Sequence, residues 1–513
     1  MMSTAEKLTG PSGVLNPAYA HNKLNLITLN YLFSTQTIAF VVTFIGRSRE
    51  LGVLRTEFDQ LEARCITVSG PPGVGVSALI RSATDGYAGL RFRCPPRPDP
   101  LIRAALSNRI RGDISSESAR DSEDVPTWAA LLTELAEQAS DQRPFVLVLD
   151  DAHRLSDARS RIDLGLADAL SHARAGQLPF HVVLTGRAGA MPAVGTTSNM
   201  STPSLQLRVG PLPLRAAAPH LPGSEPYHKI RAYGVFGGIP GVLAHLDTSV
   251  TVGTNVRRLL LPDHGALADL PLSWLERSVQ TPTRYVSTLE ALSHSRVEWA
   301  DLSDAIPDLT RSGQIAPYLK RLAELGLVST YRSLDAAPRS RSTRYSLTDP
   351  FLAFWLRFIL PWRVSERDTE IVPHYASSIR PGIRDHLQNM MPALCRRHME
   401  IDALETFGSN AREGGAIWNA DVDIPVAGTL GTGAVYYGTC LWDPPATRPR
   451  TPERTPLERL DRNIRETRYG FGRERRERLV FTGRATPTWL RREVARRDDA
   501  RIVSANELIG DAA

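Results

Sequence analysis

The residues best equipped for chemistry fall in three short stretches. "GPPGVGVS", Gly70 to Ser77, fits the pattern GxxxxGK[ST] at every specified position but one, because Val76 stands where lysine is called for. In such a turn Gly70, Gly73 and Gly75 let backbone amides curl around phosphate oxygens, the following helix adds its dipole, and the Ser77 hydroxyl would hold Mg²⁺. Downstream, "LVLDDAH" ends an apolar run in two carboxylates: Asp150 would bind the same ion through water, and Asp151 stands where the attacking water is polarised. The third stretch is basic. Lys320, Arg332, Arg339, Arg341 and Arg344 cluster in a region whose pattern suits contact with DNA phosphates, or a plain solvated loop.

The missing lysine matters physically. It would neutralise charge on the β- and γ-phosphates, whereas valine offers only apolar contact. Arg81, one helical turn beyond Ser77, would have to reach back against the direction in which helical side chains point. Nucleotide binding through amides, Ser77 and Mg²⁺ remains compatible with the turn; fast hydrolysis does not. A glycine turn also occurs as bare structure, and the placement between a strand and a helix, with the acid-ended strand to follow, is what favours the phosphate reading.

Those residues need elements to hold them. "ARCITVSG" (Ala63 to Gly70), Leu90 to Phe92, Arg143 to His153 and Pro179 to Arg187 read as buried strands interleaved with helices, including one over Trp128 to Ala139. That alternation predicts an α/β domain with a parallel sheet. Beyond residue 215 the chain turns helical. Helices over Tyr285–Leu292, Trp299–Ile306 and Ile315–Leu325, followed by a hairpin from "GLVSTYRS" and "RSTRYSLTD", predict a winged helix, with Pro317 an awkward residue inside its recognition helix. The segment between Leu356 and His386 is a less decipherable connecting region. From Pro392 a further α/β module follows, with strands at "VDIPVAG", "VYYGTCLW" and "ERLVFTG". The resulting divisions are a leader over 1–42, a P-loop domain over 43–214, a helical lid over 215–279, a winged helix and junction over 280–361, and an α/β domain over 362–513.

Composition sets limits. Of 61 cationic side chains only Lys7, Lys23, Lys229 and Lys320 are lysine, which restricts Schiff-base or lysine general-base chemistry to four positions. A net charge of +6 permits an acidic partner without requiring one. Cys65, Cys94, Cys395 and Cys440 form no CxxC pair, so neither a zinc site nor a disulfide framework is indicated, and a reducing cytoplasm is the simplest setting. Leu24 to Ile45 has the length of a membrane span but carries Asn25, Asn30 and Gln36; it reads instead as a leader or as sequence ahead of the true start, and no membrane partner is expected.

In order and spacing these motifs resemble the archaeal-type ATPases, a branch of the STAND and AAA-like P-loop proteins. "FIGRSREL" resembles the family's entry motif, which implies that Arg47 lies beside the adenine. "VVLTGR" resembles its sensor strand, implying Arg187 at the γ-phosphate, and "YGVFGGIPGVLAHLD" resembles its GG[IY]P element, implying that Pro240 closes over the nucleotide. "RYSLTDPFLAFWLRFILP" resembles the junction after the winged helix, with an aromatic stripe expected to be core. The family's last domain resembles PD-(D/E)XK nucleases. Asp423 falls at the aspartate position, but Thr439 replaces the ExK glutamate, Leu441 the lysine, and Pro392 or a neighbour the helix glutamate. The resemblance thus implies ATP and Mg²⁺ as ligands and two degenerate sites. The reading is a STAND-like switch, possessing a nuclease fold kept as scaffold, with DNA, a protein partner or self-association downstream. Two alternatives stay open: a nucleotide-independent DNA-binding scaffold, and an active ATPase coupled to DNA processing.

Overall fold

The computed structural model describes residues 46–112, 125–140, 143–155, 161–189, 203–293, 297–298, 302, 306, 315–337, 343–365, 370–449, 455–473 and 475–510. The leader over 1–42, Arg339, Arg341 and most of the helix expected from Trp299 lie outside the described residues. The chain divides into two compact units. The first holds Ser48–Ser69 and Val76–Arg208; the second holds Gly46 and Arg47, Gly70–Gly75 and the chain from Val209 onward.

In the first unit, helix α1 (Ser48–Phe58) precedes strand β1 (Arg64–Gly70), and α2 (Val76–Ala83) begins after the glycine turn. There follow β2 (Ala88–Arg93), α3 (Asp99–Arg111), α4 (Trp128–Ala136), β3 (Phe145–Asp150), α5 (Ile162–Ala175), β4 (Phe180–Arg187) and β5 (Leu205–Arg208). The strands form a sheet in the order β2-β3-β4-β1-β5, in which β2 pairs parallel with β3, β3 with β4, and β1 with β5. This is an α/β fold built on a sheet of parallel pairs. Every residue of β3 is buried, as a strand covered on both faces requires. The helices are fixed by local chemistry: Thr127 caps α4 by accepting the Ala130 amide, Gly112 ends α3 in the left-handed conformation, and the Trp128 indole donates to Asp99 at 2.7 Å, tying α4 to α3. Strands β2, β3 and β4 end in Arg93, Asp150 and Arg187, at the carboxyl end of the sheet, where open parallel sheets bind ligands.

The second unit is helical at first, with α6 (Pro226–Phe236) and then α7 (Pro282–Ser293). A three-stranded antiparallel sheet follows, made of β6 (Val297–Glu298), β7 (Val328–Arg332) and β8 (Thr343–Leu347), with α8 (Ala316–Glu324) preceding the hairpin. Pro317 is less awkward than expected. It lies in the first turn of α8, where its missing N–H has no intrahelical partner to lose. The stretch without a pattern, after Leu356, is helical too: two π-helical segments, Trp355–Ile359 and Tyr375–Ile379, lead into the 28-residue α9 (Arg380–Phe407). Pro392 is buried within α9.

The C-terminal sheet has the order β13-β12-β11-β10-β9, from β9 (Ala411–Trp418), β10 (Asp423–Leu430), β11 (Val435–Leu441), β12 (Arg476–Thr482) and β13 (Ala500–Val503). It is mixed: β9, β10 and β11 pair antiparallel, β11, β12 and β13 parallel. The parallel step needs a crossover, supplied by α10 (Pro456–Glu466), whose Thr455–Glu458 capping box fixes its start and whose Leu457, Leu460 and Ile464 are buried. Among the described residues no helix is long and apolar enough to cross a membrane.

Candidate functional site

Asp150 is the centre of the first unit's polar end. It closes β3 and is 6% exposed. Its Oδ1 accepts from the Thr185 hydroxyl on β4 at 2.5 Å, its Oδ2 from an Arg91 Nη on β2 at 2.8 Å, and the Ser77 hydroxyl lies 3.2 Å from both oxygens. Burial alone would raise the Asp150 pKa, but the hydrogen bonds from Thr185, Arg91 and Ser77 together hold it below the usual carboxylate range. Hydrogen bonds to a charged group stabilise by roughly 1.5–3 kcal/mol each, so this carboxylate is both ionised and firmly held.

Asp151 adopts φ +59°, a left-handed conformation that aspartate tolerates better than most residues. Its carboxylate pairs with Arg93 at 3.0 Å and Arg154 at 3.3 Å. Arg187, at the end of β4, lies near His153; burial first, then the Arg187 charge, depress the His153 pKa, against a smaller opposing effect of Asp151. Arg81 is exposed in the last turn of α2.

Ser77 and Asp150 are the donor pair a Mg²⁺ ion would use. As arranged they do not fit it. Mg²⁺ demands near-octahedral oxygen geometry and is usually held by one or two carboxylates together with water. Here both Asp150 oxygens already accept protein donors, and one of these is a guanidinium whose charge opposes a dication at the same carboxylate. Among the described residues no cluster of three or more His, Cys, Asp or Glu side chains could hold a metal.

Within the second unit the glycine turn is gripped from several sides. Gly73 (φ +77°) and Gly75 (φ +94°) occupy backbone conformations that favour glycine. Arg47 donates to the Val74 carbonyl at 2.7 Å and to the Gly210 carbonyl at 2.8 Å. The Gly241 amide donates to the Gly73 carbonyl at 2.9 Å, and a Cβ on Gly75 would lie 3.8 Å from the Pro240 ring. Arg47, expected beside a nucleotide, thus holds the turn itself, and Gly241, next to Pro240, is bonded to it as well.

Asp349 escaped the sequence reading. It lies in the "LTDPF" junction, fully buried, and accepts the Gly238 amide at 3.0 Å and the Phe351 amide at 2.9 Å. A Cβ on Gly237 (φ +64°) would fall 2.0 Å from an Asp349 oxygen, which accounts for the first glycine of "GGIP". The carboxylate therefore anchors the segment that carries Pro240. Burial pushes its pKa up to about 6, against the two amides.

Of the residues expected to touch DNA, Lys320 is exposed on α8, while Arg332 on β7 donates to the Ala337 carbonyl at 3.4 Å. Arg344 is committed within the fold. It pairs with Glu298 at 3.3 Å and with Asp423 at 2.9 Å, and its guanidinium stacks 4.6 Å from the Trp418 ring centroid. The expected nuclease remnant and the expected DNA-contact residue are therefore each other's partner. Thr439 and Leu441 lie on β11 beside β12. Arg478 on β12 and Arg497 converge on Asp461 of α10 and on Asp499, giving an ion-pair network near the end of the chain.

Residues 43–172 match the AAA ATPase domain. No curated protein matches the chain. Among solved structures, it is similar to a Walker-type ATPase of Pyrococcus abyssi, at 17% identity over 64% of this chain and 99% of that one, with a TM-score of 0.42. It is also similar to a Pyrococcus horikoshii STAND protein with a tetratricopeptide repeat sensor, at 13% identity over 72% of this chain and 53% of that one, with a TM-score of 0.28. Cdc6p from Pyrobaculum aerophilum matches at 15% identity over 65% of this chain and 97% of that one, with a TM-score of 0.29. Two residues central to the site were not foreseen. Thr185 was visible only as the polar residue in "VVLTGR", and Arg91 only as a charge inside an otherwise apolar strand.

Proposed function

We propose that the chain is a nucleotide-binding, STAND-like regulatory protein whose hydrolysis is weak or absent. The observation that carries this reading is the glycine turn with Ser77 hydrogen-bonded to Asp150, beside Val76 at the lysine position. The turn keeps the backbone amides and the helix N-terminus that bind phosphate, and lacks the cation that would stabilise transferring charge. On this reading residues 215–279 form a lid, residues 280–361 a winged helix with its junction, and residues 362–513 a nuclease-like fold retained as scaffold. Support for the last comes from the mixed sheet, from Thr439 and Leu441 at the ExK positions, and from Arg344 against Asp423. Nucleotide occupancy would set how the helical and C-terminal parts are displayed to DNA or to a protein partner.

The test is nucleotide binding and turnover by the purified chain. Saturable ATP binding that Gly75→Val abolishes, with no turnover above background, is the expected result; a β-branched residue is strained at φ +94°. Absence of binding refutes the reading. Turnover that Asp151→Asn abolishes would instead establish an active ATPase.

A further inference from the structure

The partner of Asp150 points beyond nucleotide binding as such. Arg91 reaches it from the adjacent strand: β2 and β3 pair with Arg91 opposite Val148 and Arg93 opposite Asp150, which places both arginines at the carboxyl end of the sheet. The Arg91 side chain is 22% exposed and that of Asp150 9%, so the pair is largely withdrawn from water. Thr185 fixes the other carboxylate oxygen from the opposite side. Three elements, β2, β4 and α2, therefore converge on one carboxylate, and a fixed guanidinium has taken a position at which a dication would need open oxygens.

The surrounding charge has the same sense. Arg91, Arg93, Arg154 and Arg187 stand at this end of the sheet with the two carboxylates Asp150 and Asp151, and Arg91 and Asp150 neutralise each other. A phosphate chain arriving here meets a surplus of guanidinium groups, which bind phosphate in a planar, bidentate manner and need no metal to do so.

We propose that this site takes its nucleoside polyphosphate free of divalent metal, with Arg91 holding the carboxylate that would otherwise recruit Mg²⁺. The inference rests on the nucleotide-binding reading above and names the form in which the ligand binds. The ligand class is the metal-free nucleoside di- or triphosphate, and Arg91 is a positioning residue that excludes the ion.

The experiment is equilibrium binding of ATP to the full chain in excess EDTA and in excess MgCl₂, for the wild type, Arg91→Ala and Arg91→Lys. The wild type should bind at least about tenfold more tightly in EDTA than in excess MgCl₂, because the metal converts free ATP in solution to a complex that this site does not take. Arg91→Ala, with Asp150 released, should bind at least about tenfold more tightly with Mg²⁺ than with EDTA, and Arg91→Lys should behave as the wild type. Wild-type binding that is as tight or tighter with Mg²⁺ overturns this inference and leaves the nucleotide reading standing. No binding in either condition refutes both. Should Arg91→Ala fail to fold, the wild-type comparison alone decides.

Discussion

Asp349 makes the stability of the second unit depend on pH in a direction opposite to that of an ordinary paired carboxylate. Its pKa rises from 3.8 to about 6 because the side chain is fully buried, and two backbone amides only partly offset that burial. Tyr233 is the titratable neighbour within electrostatic reach, and its own burial keeps the phenol neutral well past this range. A folded-state pKa above the unfolded one means that the native state binds more protons between the two values. The contribution is therefore fully present below about pH 4 and is lost as pH rises through about 6. The difference of roughly two units corresponds to about 3 kcal/mol. Asp349→Asn removes the titration. Its amide keeps one acceptor for the Gly238 or Phe351 amide and gives up the other bond, a cost that does not vary with pH. Urea unfolding read by tryptophan fluorescence, at intervals from about pH 4 to pH 7, should show the stability of the wild type relative to the variant falling by about 2 kcal/mol as pH rises. Groups common to both proteins, such as His386, cancel in that difference. A difference that is flat, or that grows with pH, would refute the reasoning and show Asp349 to be stabilised as an anion.

Three further outcomes follow from the same geometry. Gly238→Ala places a Cβ 2.1 Å from the Leu212 carbonyl oxygen, whose residue is also hydrogen-bonded to Gly238, and should cost about 2–4 kcal/mol, seen as a lowered thermal midpoint. All four cysteines are buried, and burial pushes the Cys65 and Cys94 thiols up to about 12; the native protein should be inert to a thiol reagent at neutral pH and titrate four thiols on unfolding, so rapid native labelling would count against the packing. Val76→Lys alone should leave ATP turnover at background, because Arg91 still engages Asp150; a restored rate in a phosphate-release assay would show that the lysine was the sole deficiency.

The strands β3 and β4 were legible because strands buried on both faces appear as apolar runs. Strand β5 was not: four residues long, with every second one exposed, it has too little pattern to stand out. The chain after Leu356 was opaque for a different reason, since two π-helical segments break the 3.6-residue period by which helices are read. At the site, Ser77, Asp150 and Asp151 could be named because a motif is local in sequence. Arg91 and Thr185 could not, because strand order brings them to Asp150 from β2 and β4, and spacing along one chain does not encode which strand lies beside which. Asp349 was hidden by its own neighbourhood, where the aromatic residues of "TDPFLAFW" drew attention to packing and away from the single carboxylate among them.

The seam between the hairpin of β7 and β8 and the C-terminal sheet has a practical consequence for dissecting this protein. The Leu334 amide donates to the Ala416 carbonyl, the Trp418 amide to the Ser333 hydroxyl, and the Thr467 hydroxyl to Asp335, while Arg396 lies over the Tyr331 ring. With the Arg344–Asp423 pair these are stitches from both sides. A truncation that ends the chain after the hairpin would strip it of hydrogen-bond partners and leave aromatic faces bare, and a C-terminal fragment beginning at β9 would carry the matching wounds. Deletion genetics would then report misfolding in place of the loss of a module. Point substitutions that spare the seam are the cleaner instrument for asking what either part contributes.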